Sequence, residues 1–288
     1  MPSTSTAWRE LVTTRAFLVF AALTWPAVAA PYANPQGIVV RTLSWYTVAA
    51  YLVFPFVAIA FVTRERARGE TAPRRVVSMF ALLSLAWMIG WIPGLISLGV
   101  WSAFGGQLYA PEVLVVLLQH LLRGALAISL AMVAASVTKK TVGAVLIVLA
   151  FALAVWGVEI YGEREGGLLL YAASLAPEGM LRAFERGQIR ADVVAIFVAT
   201  VVIHVAIAVV WLQPGKDRGY RWSATALIFI ASIIVTSLAG ELNFTWIVRQ
   251  WNAAAAPMAV VPPFMDWLFY TVFPGLTTLA WWRYRRSA

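Results

Sequence analysis

Eight stretches of mostly apolar residues dominate this chain, at roughly 15–31, 43–62, 77–100, 113–137, 141–160, 192–212, 223–240 and 264–282. A helix that crosses a bilayer needs about 20 such residues. With 61% of the residues hydrophobic and 12% charged, a water-soluble core could not hide this much apolar side chain. The pattern predicts an all-α polytopic membrane protein with about eight transmembrane helices. The first and last stretches are the weakest, being short and interrupted by Pro26 and Pro274. Arg9, Arg15 and the apolar run 16–25, followed by alanines at 27, 29 and 30, imitate a secretory leader. Pro31 is a poor residue to follow a cut, so the segment is read as a retained first span.

Charge supplies the orientation. With the N-terminus placed in the cytoplasm, the inner segments carry 15 basic and 4 acidic residues, and the outer segments 6 basic and 9 acidic. Every inner segment is net basic, as the positive-inside rule requires for both termini inside. The net charge of +9 therefore needs no nucleic acid partner. Membrane lipids are the expected surroundings. Trp45, Trp101, Trp156, Trp211, Trp222, Trp281 and Trp282 fall near span ends, where an amphipathic ring sits well at the headgroup level. Residues 3–15 read as a short interfacial helix.

Reactive chemistry is sparse. The chain has no cysteine and two histidines, which excludes disulfides, thiolate metal sites and multi-histidine centres. No phosphate loop GxxxxGK[ST], no HExxH and no GxSxG is present, so neither a nucleotide site of its own, a metal site nor a catalytic residue is predicted. Glu163 and Glu165 around Arg164 read as a solvated charge run. Repeated halves with broken helices, the signature of many secondary carriers, are missing.

Arg123 is the most informative residue. It falls near the midplane of its span, where an arginine facing lipid is costly and must face protein or water. Gln119 and His120 lie on nearly the same face. The cluster is either a polar lining for an anionic or polar substrate, or an interhelix clamp with Glu112 or Glu159 reached from the outer side. His204, deep in the sixth span, is either an interhelix hydrogen-bonding residue or a proton relay. Pro55, Pro93 and Pro274 predict kinks. In the long outer segment 161–191, residues 177–190 read as a helix with Met180, Leu181 and Phe184 on one face. Pro214 and Gly215 divide a six-span unit (1–213) from a two-span extension (222–288). The outer linker 241–263 is too short for a separate domain.

Three segments resemble, in order, motifs of the permease subunit of ABC exporters of the second type, the gliding-motility-associated and copper-processing-like kind. Arg64-Glu65-Arg66-Ala67-Arg68-Gly69-Glu70 resembles the family's Glu-Arg-x-x-Gly coupling helix. Ala135-Ser136-Val137-Thr138-Lys139-Lys140 resembles its Ser-x-x-Thr-Lys turn, with one residue fewer between Ser136 and Thr138. Phe184, Gly187 and Ile189, followed by Asp192, resemble its Phe-x-x-Gly-x-Ile…Asp run into the last permease helix. Gly187 is expected to end the outer helix and Asp192 to cap the next. The coupling segment departs from the family's Thr-x-Glu-Leu-Leu continuation and reaches Pro73 early. The final two spans are similar to the membrane helices of the gliding-type auxiliary subunit. The resemblance implies a multi-pass permease of the bacterial inner membrane that dimerises with a second copy or a related permease. It also implies a separate cytoplasmic ATPase carrying ATP and Mg, with no cofactor on this chain. The competing reading is a structural or accessory subunit of a larger membrane complex, derived from such a permease and not transporting.

Overall fold

A computed structural model describes residues 4–28, 37–67, 72–138, 140–165, 167–248 and 264–287. The described chain is helical apart from one two-stranded ribbon. Two helices open it, α1 (Thr4–Val12) and α2 (Arg15–Ala27). Then come α3 (Ile38–Ala67), α4 (Pro73–Ala103), α5 (Ala110–Val137) and α6 (Thr141–Glu165). Two short helices follow, α7 (Gly167–Leu175) and α8 (Pro177–Glu185), and then strand β1 (Gln188–Arg190). The chain closes with α9 (Ala191–Leu212), α10 (Arg218–Gly240), β2 (Thr245–Ile247) and α11, which spans 264–286.

Six helices, α3, α4, α5, α6, α9 and α10, are long and apolar enough to cross a membrane. The chain is therefore a multi-pass membrane protein by length and composition. The expected first and last spans are less complete. α2 has only 13 residues, and α11 ends in Arg283, Arg285 and Arg286. The two ends of the chain meet, because Arg9 Nη2 donates to the Ser287 carbonyl.

α5 is the central post. It packs against α3, α4, α6 and α9, and 61% of its most apolar window is buried. α10 is the opposite case, with 6% buried, held almost entirely by α9. The expected extension closes back on the body. Trp25 of α2 donates from Nε1 to Thr277 of α11 at 2.9 Å and packs on Phe269 and Phe273. Trp281 Nε1 donates to the Val12 carbonyl at 2.9 Å. β1 and β2 pair antiparallel, Ile189 opposite Trp246.

The prolines act as their chemistry dictates. A proline removes one helical donor and its ring crowds the carbonyl four residues back. Just before Pro55, residues Ala49–Val53 widen into a π turn. The same happens at Leu268–Val272, before Pro274. At Pro93, α4 breaks between Ile89 and Ile92. The Tyr46 hydroxyl enters that break, donating to the Gly90 carbonyl at 2.9 Å and accepting from Gly94 N at 3.3 Å. A side chain inserted into the ladder is a recognised cause of a kink.

The segment 161–191 is more structured than its sequence predicts. Beyond the expected helix, which stops at Glu185, a further helix α7 folds back along α6, and 188–190 is a strand. Its partner strand lies in the outer linker 241–263.

Candidate functional site

The polar groups of the core converge where α8 meets the middle of α5. Arg123 is 13 residues into a 28-residue helix, about 20 Å from its start at 1.5 Å per residue. Its guanidinium is 1% exposed. Arg123 Nε donates to Glu178 Oε1 at 2.7 Å and Nη2 to Oε2 at 2.6 Å. Nη1 lies 3.0 Å from His120 Nδ1. Arginine cannot accept, so His120 Nδ1 is the acceptor and its proton sits on Nε2. One turn earlier, Gln119 Nε2 donates to Glu185 Oε1 at 2.9 Å. α8 thus lays two carboxylates, seven residues apart, along two donors of α5 that are four apart.

The partner of Arg123 is Glu178, neither Glu112 nor Glu159. Glu159 binds Arg182 at 2.6 Å instead. The reason is the path of the chain: α8 folds into the bundle, so its acidic residues reach further than a surface loop could. Glu178 and Glu185 share a face with Leu181, which is wholly buried. Carboxylates on the apolar face of an amphipathic helix were the available signal.

Three aromatic residues that sequence reasoning did not single out complete the site. Tyr51 lies within the π turn and is buried beside the Arg123–Glu178 pair. The Tyr46 ring meets His120 edge-on at 5.6 Å. Trp87 Nε1 donates to the His120 carbonyl at 2.9 Å, and its indole lies directly on Gly124. A Cβ at Gly124 would sit 2.2 Å from Trp87 Nε1, so only glycine admits the ring there. Among the described residues no group of acidic or histidine side chains could hold a metal ion. Chemically, the cluster is an ion pair with matched partners on each edge, suited to binding and locking.

His204 stands apart from this cluster. Its Nδ1 is 3.0 Å from Ser129 Oγ, which ties α9 to α5.

The segment 64–70, likened above to a coupling helix, starts in the last turn of α3. Arg64 is exposed. Glu65 is buried and its Oε2 accepts from Arg75 Nε at 3.0 Å, with Nη2 2.8 Å away in the same ion pair. Arg66 Nη1 donates to the Thr138 carbonyl at 2.6 Å and approaches those of Ala135 and Ser136 at 3.3 and 3.5 Å. A cation at a helix C-terminus satisfies carbonyls that have no helical partner and opposes the macrodipole. The first two motif segments are therefore in direct contact. Arg68, Gly69 and Glu70 lie outside the described residues.

The third motif segment lies beside α8. Phe184 is buried under the helix. Gly187 has φ 74° and ends it, as expected. Ile189 pairs in the ribbon. Asp192 does not cap α9: the cap position is Arg190, and Asp192 stands within the first turn, bound to the Arg190 side chain.

No family model, no curated protein and no solved structure matches this chain.

Proposed function

We propose that this chain is the permease subunit of an ATP-driven ABC exporter in the bacterial inner membrane. It pairs with a second permease copy or a related one. A separate cytoplasmic ATPase binds ATP and Mg and docks on the segment between α3 and α4, with both chain termini on the same cytoplasmic side. One observation carries the reading. Both feet of that short segment are clamped, by Glu65 to Arg75 and by Arg66 to the end of α5. A force applied at Arg64 would pass into α3, and through these clamps into α4 and α5, as a coupling element requires. Arg64 stays exposed for a partner to read.

A second reading is favoured by α10, whose outer faces are apolar and uncovered. Under it the chain is a non-transporting structural subunit that packs against other membrane subunits.

Purification from native membranes in mild detergent separates the two. The permease reading expects a roughly stoichiometric companion with a phosphate-loop motif, ATP hydrolysis by the complex, and loss of that companion in Arg64→Glu. Arg64 is the residue to change, because Glu65 and Arg66 also hold the fold. Co-purification with cofactor-bearing membrane subunits and no ATPase would overturn it in favour of the structural reading.

A further inference from the structure

A pocket of about 230 Å³ opens between α6 and α9, with α5 as its floor and the start of α8 as its rim. Leu130, Phe151, Met180 and Phe197 make its walls, and Thr200 and His204 supply the polar atoms. The Thr200 hydroxyl is spent on the Ile196 carbonyl at 2.8 Å. Ser129 donates its one hydroxyl hydrogen to the Leu126 carbonyl at 2.9 Å, so toward His204 it can only accept. The His204 proton therefore sits on Nδ1, the reverse of His120. Nε2 is left as a bare acceptor on an apolar wall, with no donor among the described residues. An acceptor without a donor in such surroundings is unfavourable. A water molecule there would find at most the Thr200 hydroxyl oxygen as a second partner, the bottom of the two to four that hold a buried water.

We infer that this pocket binds a neutral, elongated apolar molecule carrying one hydroxyl, which donates to His204 Nε2. Neutrality follows from the lining, which contains no charged residue to compensate an ionised head. Elongation follows from the reach: seven residues of α9 separate Phe197 from His204, about 10 Å along the helix. Supply follows from position, since the most apolar windows of α6 and α9 are each only 22% buried and face the lipid in a membrane. The site does not depend on an ATPase partner.

The test uses the purified full chain with two photoreactive probes: a fifteen-carbon alcohol with a mid-chain diazirine, and its methyl ether. Saturable labelling of the peptides holding Phe151 and Phe197 is expected. The alcohol should outcompete the ether by about fivefold, the worth of one net hydrogen bond. His204→Phe should abolish that preference while the ether still labels. Thr200→Trp, which fills the space, should remove labelling by both. Equal labelling by alcohol and ether in the unaltered protein, or label spread over the exposed faces of α10, would overturn the proposal. That comparison needs no variant and decides the matter even if a substitution fails to fold.

Discussion

Arg123 and Glu178 face each other side-on through two hydrogen bonds of 2.7 and 2.6 Å, across 55 residues of sequence. The pair joins the middle of α5 to a helix that lies between two spans. Desolvating both charges is costly, and only close, matched geometry offsets that cost. The fork of the guanidinium on a carboxylate supplies such geometry. With His120 on its third edge, the arginine is committed to protein partners.

Removing one partner should cost more than removing both. Glu178→Gln keeps the shape and leaves a buried cation with a poor acceptor, and about 3–5 kcal/mol of destabilisation is expected. Arg123→Met should cost a similar amount by stranding the carboxylate. The double variant Arg123→Met/Glu178→Met should recover much of the loss, because no unpaired charge remains. Thermal unfolding in detergent measures all three. A double variant as unstable as the sum of the singles would mean that the two residues act independently.

The depth of Arg123 was legible in the sequence, but its partner was not. Depth follows from counting along one helix. Partner choice follows from how 161–191 folds, and the polar residues there read equally well as solvated loop. α7 was hidden for a different reason: Gly167–Leu175 is as apolar as a span yet has only 9 residues. The kinks at Pro55, Pro93 and Pro274 were legible because proline chemistry is local. What those kinks are for, with Tyr51 beside the ion pair and Tyr46 patching α4, depends on contacts between distant segments.

Gly124→Ala should destabilise the bundle by about 1–3 kcal/mol, as overpacking of a tight core does. The added methyl would have to displace the Trp87 indole, which also holds the His120 carbonyl. Trp87→Phe removes both the clash and the hydrogen bond. The pair Gly124→Ala/Trp87→Phe should therefore be less destabilised than the two singles added together, a coupling that a double-mutant cycle in detergent would detect. Strict additivity would show that the indole moves aside freely.

The cysteine-free sequence makes topology directly measurable. Gln107→Cys and Thr245→Cys lie at one end of the bundle, and Arg64→Cys and Arg218→Cys at the other, all at exposed positions. In intact cells an impermeant maleimide should label the first pair and spare the second. After lysis all four should react. Labelling of Arg64→Cys from outside would invert the orientation drawn from the basic residues, and with it the side on which a cytoplasmic ATPase could dock.

Arg66 and Arg64 are neighbours with different expected roles, and this contrast tests the coupling reading most sharply. Arg66 closes the C-terminus of α5 through the Thr138 carbonyl. Arg66→Ala should cost about 1–2 kcal/mol, for lost charge-assisted bonds and lost interaction with the helix end. Arg66→Lys should restore part of that, keeping the charge but not the fork. Arg64→Glu, at an exposed position, should change thermal stability by less than about 0.5 kcal/mol. If this segment couples to an ATPase, Arg64→Glu should nevertheless lower the ATP hydrolysis of the purified complex by about tenfold or release the companion altogether. Loss of stability at Arg66 with unchanged hydrolysis in Arg64→Glu would identify the segment as a structural staple between α3 and α5, and would move the chain toward the non-transporting reading.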